Sequence, residues 1–265
     1  MAQAEDSFRA GDLEGCLQEL QAEIRQNSAD PKRRIFLAQL LMLMGRWDRA
    51  VTQLNVVGEM DTAALPMARA YRAAIECELV RGQVFSGKRS PLIFGDPQPW
   101  IALMISALRL DGDQQYAAAG AMRAQALEDA PAIGGSVNGE PFEWIADAET
   151  RLGPVFEVLL NGNYYWVPMH RVLKISIEPP SDARDLIWVP AQFTWTNQGE
   201  ALGFIPARYP GSESSSDDLV RLARKTEWNE VAPEVFFGIG QRLIATDASE
   251  YGVLEVREIE FTPSA

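Results

Sequence analysis

A chain of 265 residues, 47% apolar and 23% charged, is long enough for a real core and has the composition of a soluble globular protein. Its formal charge of −13 is shared: 14 Lys/Arg against 21 Asp/Glu over residues 1–150, and 10 against 16 over 151–265. Neither half is basic, so a nucleic-acid backbone would be repelled and no nucleic-acid partner is expected.

The first residues, MAQAEDSFRAGD, lack the basic start and apolar run of a signal peptide. The longest apolar-looking run, IFLAQLLMLM at 35–44, is too short to cross a bilayer, so no membrane partner is expected. Cys16 and Cys77 fall in helical patterns and predict buried, reduced thiols and a cytoplasmic protein.

GDLEGCLQEL at 11–20 and GRWDRAVTQL at 45–54 share a shape at an offset of 34 residues. Gly11 matches Gly45, Leu13 matches Trp47, Cys16 matches Ala50 and Leu20 matches Leu54. That period is the tetratricopeptide one, two antiparallel helices per unit. The glycines fit the turn, where φ is positive, and the small residues fit the helix crossing. The second unit predicts an A helix from about Pro31 to Met44 and a B helix from about Trp47 to Val57. The first unit reads as a terminal cap.

A third helix is predicted over 65–82. Residues 83–99, QVFSGKRSPLIFGDPQP, break the period and form a loop. The pattern resumes with WIALMISALRLDGDQQYAAAG, where Gly112 and Ala117 repeat the Gly-to-small spacing. AIGGSVNGE reads as a linker and FEWIADAETRLG (142–153) as one short helix. Strands follow: VFEVLL, Asn161-Gly162 as a hairpin turn, NYYWV, RVLKISIE, DLIWVPAQFTW, ALGFIPARY and YGVLEVREIEF. An N-capped helix near Asp217–Arg224 interrupts them. The fold class is therefore multi-domain α and β. Tetratricopeptide-like helical repeats fill residues 1–135, and an α+β part with a small bent antiparallel sheet or barrel fills 136–265.

Chemistry is sparse. GQVFSGKRS (82–90) approaches a phosphate loop, but Arg89 stands where Ser or Thr should hold Mg²⁺, and it follows a helix rather than a strand. GIGQRL (238–243) lacks the last glycine of a dinucleotide fingerprint and reads as a turn. Asp182 with Asp185 and Asp217 with Asp218 sit in polar turns and read as caps. Tyr164, Tyr165, Trp166, Trp188, Trp195 and Phe204 could stack bases, yet alternate strand residues fill cores by default and the segment is acidic. His170 is the sole histidine and reads as a hydrogen-bonded structural residue. One His and two distant Cys offer no zinc site, and no metal or cofactor is expected.

NGEPFEWIADAETRLGPVFEVLLNGNYYWVP (138–168) closely resembles the signature of the ImpE family, also called TagJ. LIWVPAQF, PARYPGSE, RKTEW and GIGQRL follow in the family's order, and RGQVFSG and GDPQPW precede. The resemblance implies a cytoplasmic accessory component of bacterial type VI secretion systems, with a tetratricopeptide-like N-terminal part. It implies association with the contractile sheath through an N-terminal helix of the small sheath subunit TssB. In some systems it also implies association with the disassembly ATPase ClpV. It supplies no catalytic residues.

These lines converge on a non-enzymatic adaptor that offers a groove to an amphipathic helix. In a consensus repeat the A-helix residues line the concave side, which makes Lys32, Ile35, Gln39, Met42 and Leu43 the candidate partner-binding residues. The competing reading places Ile35 and Leu43 in the core. A different class of function, a hydrolase using His170 with a nearby acid, is the alternative.

Overall fold

The computed structural model describes residues 2–262. Among the described residues seven α-helices come first. α1 (Ala2–Ala10) and α2 (Leu13–Gln26) form one helical hairpin, and α3 (Pro31–Leu43) and α4 (Trp47–Met60) a second. α5 (Leu65–Phe85) stands alone, and α6 (Pro99–Gly112) with α7 (Tyr116–Asp129) closes the array. Asp12 accepts a hydrogen bond from Gly15 N at 2.8 Å, and Asp30 one from Lys32 N at 2.9 Å. Each carboxylate thereby caps a helix whose first N–H groups have no internal partner.

The 34-residue repeat is real. Gly11 and Gly45 both take positive φ, +83° and +65°. Cys16, Ala50, Leu20 and Leu54 are all fully buried. The third hairpin keeps the geometry in a shifted register. The residue of positive φ is Gln114, at +60°, and the buried small residue five positions later is Ala119. Ala117 is exposed and Gly112 ends α6. Gly112 is glycine for another reason: a Cβ there would lie 2.4 Å from the Ser86 carbonyl oxygen.

The chain after α5 supplies no B helix. It extends a two-residue strand, β1 (Leu92–Ile93), which pairs in parallel with Tyr165 and Trp166 at the sheet's edge.

The segment expected to be a linker is a hairpin, β2 (Gly135–Val137) and β3 (Glu140–Phe142), turned at Asn138-Gly139 with positive φ at both residues. No helix spans 142–153. β4 (Ile145–Asp147) occupies it instead, followed by a turn. Its apolar residues satisfied a helical period, but Ile145 and Asp147 pair with Thr246 and Ile244, and this tertiary pairing overrides local propensity.

The remaining strands are β5 (Val155–Leu160), β6 (Asn163–Pro168), β7 (Val172–Ile177), β8 (Trp188–Trp195) and β9 (Glu200–Pro206). Then come β10 (Thr226–Ala232), β11 (Val235–Gly240), β12 (Leu243–Thr246), β13 (Glu250–Gly252) and β14 (Glu258–Phe261). One turn of helix, α8 (Asp218–Arg221), lies between β9 and β10.

Nine strands form one sheet in the order β1-β6-β5-β9-β8-β7-β14-β2-β3. The sheet is open, so the barrel alternative is not realised. All its pairings except that of β1 are antiparallel. β10 with β11 makes a separate ribbon, and β13-β12-β4 a small third sheet.

The β5–β6 hairpin turns at Asn161-Gly162, both at positive φ, as the sequence predicts. Tyr164 and Trp166 face the helices; Val167 and Tyr165 face the other way. The helix-side core joins Leu40, Leu43, Tyr71 and Trp100 to Leu159, Trp166 and Trp188. A second core, from Phe156, Ile175, Phe193, Ile205 and Ile259, fills the opposite face.

Candidate partner-binding site

The five residues that sequence reasoning placed on the concave side of the array are spread along almost the whole of α3, but most are covered. Lys32 is exposed and Ile35 half-buried. Gln39, Met42 and Leu43 are buried. The cover is the chain's own C-terminal part. A short 3-10 helix at Ala183–Leu186 packs against α3, and the Arg208 guanidinium donates to the Leu43 carbonyl at 2.9 Å. Gln39 hydrogen-bonds Tyr71, and Arg184 stacks over the Tyr71 ring at 5.0 Å. A tetratricopeptide array normally leaves this face free. Here it is the floor of an intramolecular contact, which no local pattern in α3 could signal.

His170 lies in a 3-10 turn, with Nε2 3.2 Å from Gln98 Nε2 and its ring edge-on to Trp100. Burial, helped by the adjacent Arg171 cation, lowers its pKa and keeps it neutral. Among the described residues no carboxylate hydrogen-bonds or ion-pairs with it, so the acid that a hydrolytic relay requires is not beside it. Burial pushes the thiols of Cys16 and Cys77 up to about 12, which makes both poor nucleophiles. Lys88 and Arg89 are exposed at a loop tip. Asp182 and Asp185 form a capping box. Asp217 caps α8, and Asp218 accepts from the backbone N–H of Leu13 at 3.0 Å. Among the described residues no group of three His, Cys, Asp or Glu side chains has the geometry of a metal site.

A buried ionic chain, which no local motif signals, runs between the helices and the sheet. Arg81 of α5 makes two bonds to the Glu157 carboxylate of β5, at 2.7 and 2.8 Å. Arg242 bridges Glu157 at 3.1 Å and Asp147 at 2.6 Å. Tyr164 Oη donates to Glu157 and receives from Trp166 Nε1 at 2.8 Å. Trp188 Nε1 donates to Glu78, which also contacts Arg81. Burial opposes the Glu157 charge, but the Arg81 and Arg242 cations and the hydrogen bonds outweigh it and hold the carboxyl below its ordinary pKa. This chain is a structural tie. It fixes α5 and the sheet in one relative position.

That position leaves part of the sheet bare. Trp188 of β8 is under the helices, but Gln192, two pleats along the same face, is exposed. Cross-strand register aligns Ser176, Gln192 and Leu202 in a row over β7, β8 and β9. Leu202 is 77% exposed, more than any other large hydrophobic residue described. The result is a groove of about 560 Å³ lined by Ser176, Pro190, Gln192, Leu202, Phe204 and Arg257, among others. It runs on, past Leu202, Gly203 and Phe204, to Ala70, Ala73 and Ala74 of α5. The Arg257 guanidinium donates to the carbonyls of Leu254 and Val256 and, among the described residues, has no carboxylate partner. Apolar anchors, small residues on one wall and one free cation suit a helix presenting apolar side chains and an acidic group.

The family model described as ImpE protein matches residues 139–260. The type VI secretion system accessory component TagJ of Pseudomonas aeruginosa is 46% identical over 261 residues, 98% of this chain and 92% of that one. A crystal structure of a protein from Vibrio parahaemolyticus, 23% identical, has the same fold, with a TM-score of 0.89 over 99% of this chain and 98% of its own. Among the described residues no helix is long and apolar enough to cross a membrane. With nearly half its residues shared with TagJ along almost its whole length, the chain belongs to the ImpE/TagJ family.

Proposed function

We propose that this protein is an accessory component of a type VI secretion system. In this reading it is a non-enzymatic, cytoplasmic adaptor that holds a helix of the small sheath subunit TssB and contacts the disassembly ATPase ClpV. The observation that carries the reading is the 46% identity to a TagJ accessory component over 98% of the chain. The isolation of His170 from any carboxylate partner supports a role without catalysis. The division into a helical part, 1–135, and a sheet part, 136–265, belongs to the same proposal, with the adaptor surface where the two meet.

The bare sheet groove is the surface that fits such a helix best, because Leu202 offers an uncovered anchor beside Arg257. A second surface is the part of the predicted α3 site still reachable, Lys32 with the edge of Ile35. On this proposal Gln39, Met42 and Leu43 act indirectly, by holding α3 in place. Size-exclusion chromatography with purified TssB tests the reading. Co-elution with the wild type is expected. Leu202→Asp should abolish it if the groove is used, and Lys32→Glu if the α3 edge is used. Absence of co-elution for the folded wild type contradicts the adaptor. His170→Ala should leave secretion intact; its loss would favour the hydrolase alternative.

A further inference from the structure

The β10–β11 ribbon carries a second exposed surface of opposite chemistry. Its register sets Trp228 opposite Gly238 and Glu230 opposite Phe236, so Trp228, Glu230 and Phe236 share one face. Trp228 is 40% and Phe236 46% exposed. Trp228 is braced on that same face by Tyr209, whose ring lies 5.5 Å from it, centroid to centroid. That ring occupies the space a Cβ at Gly238 would need, its Cδ2 being 2.5 Å from that position. The opposite face of the ribbon is already used, with Phe237 against Tyr116 and under the Arg151 guanidinium at 3.8 Å. The Trp228–Phe236 face, beyond Tyr209, borders a hollow of about 400 Å³ lined by Ala148, Thr150, Trp228, Glu234 and Phe236.

Residues 226–240 hold three glutamates and no Lys or Arg. Glu227 pairs with Lys225. Among the described residues neither Glu230 nor Glu234 has a cationic partner, and both are exposed. Two half-exposed aromatic rings beside two carboxylates that have no cationic partner among the described residues, Glu230 accepting only from the Glu234 backbone N–H at 3.3 Å, repel a nucleic acid or an anionic lipid surface on an acidic protein. They attract a cation that can also stack on indole. Exposed aromatic patches of this kind mark interaction sites, and Trp is enriched among the residues that dominate interface energies.

We propose that the Trp228–Phe236 face of the β10–β11 ribbon docks a segment of a partner protein that carries Lys or Arg beside an apolar anchor. The anchor enters the hollow beside Ala148, the cation lies over Trp228, and Glu230 and Glu234 receive the flanking charges. This site shares no residue with the sheet groove, so it goes beyond the sheath-helix reading and gives the adaptor a second contact.

Fluorescence anisotropy tests it with the full-length protein and a labelled synthetic peptide holding two leucines between lysines, and with the same peptide bearing glutamates. The lysine peptide should bind, and salt should weaken it. The glutamate peptide should not bind. Trp228→Ala and the pair Glu230→Lys with Glu234→Lys should each weaken binding by about tenfold or more. Leu202→Asp should leave it unchanged. The two glutamates are exposed, so the charge-reversed variant keeps the test sound if Trp228→Ala loosens the packing on Tyr209. No binding of the lysine peptide near millimolar concentration, or equal binding by all variants, overturns the proposal. TssB co-elution is read separately, so either surface can fail without the other.

Discussion

Gly112 and Gln114 exchange the roles that their identities suggest. Gln114 holds a left-handed backbone that costs a non-glycine residue about 1 kcal/mol, whereas Gly112 sits under the Ser86 carbonyl. Gln114→Gly should therefore raise the stability by up to about 1 kcal/mol, and Gly112→Ala should lower it. The same register makes Ala119, not Ala117, the counterpart of Ala50. Ala50→Leu and Ala119→Leu should each cost about 1–3 kcal/mol by overpacking a helix crossing, while Ala117→Leu on the exposed face should be near neutral. Chemical denaturation of the single variants checks all of these. His170 adds a pH dependence. Its folded pKa is lowered by burial and Arg171, so on acidification the unfolded chain takes the proton first. Its contribution to stability is present above the ordinary histidine value of about 6.5 and is lost as pH falls below it. Asp147, raised to about 6 by burial against the pull of Arg242, works in the opposite direction, from about pH 6 down towards its ordinary value of about 3.9. The difference between wild type and His170→Gln isolates the histidine: the wild type should lose more stability than the variant between pH 7.5 and 5.5.

At the scale of elements, whatever is encoded locally was legible. Asn161-Gly162 turned where predicted because a two-residue hairpin needs positive φ twice, and the flanking alternation fixed which face each aromatic takes. Gly162→Val, at φ +73°, should cost about 1–2 kcal/mol and is measurable by thermal unfolding. The 34-residue repeat was legible because turn glycines and small crossing residues recur. What local sequence hid was decided by distant chain. Asn138-Gly139 carries the same turn signal, but strands of only three residues flank it, too short to show alternation. Residues 142–153 have a helical spacing that pairing with β12 overrides. Of the candidate site, Lys32 and Ile35 kept some surface. Gln39, Met42 and Leu43 are buried, and α3 is packed by the 3-10 helix at 183–186 and tied by Arg208 to the Leu43 carbonyl, both more than 130 residues away in sequence. The groove itself is formed by where the helices stop covering the sheet, which no segment records alone.

For the whole molecule, the ionic tie of Arg81, Glu157, Arg242 and Asp147 sets how the helical array sits on the sheet. Removing one member strands a buried charge. Arg81→Ala should cost about 3–5 kcal/mol, well above the loss expected at the exposed Arg46–Glu14 pair. The helix-side core draws on both the helical array and the sheet, so thermal unfolding should be a single cooperative transition by far- and near-ultraviolet circular dichroism alike. With that scaffold fixed, the groove beside Leu202 is presented ready-formed, so on the proposed reading a helix would bind without first ordering the site.

Titration calorimetry of the full-length protein with a synthetic peptide from the N-terminus of TssB tests the adaptor claim most directly. An apolar stripe of three or four anchors, each contributing about 1.5–3 kcal/mol before ordering costs, predicts micromolar affinity, near −8 kcal/mol. Burial of those anchors predicts a negative heat-capacity change as well. One peptide per protein with such an affinity, lost in Leu202→Asp, is the expected result. No heat near a millimolar peptide at two temperatures, with the protein folded, would contradict it.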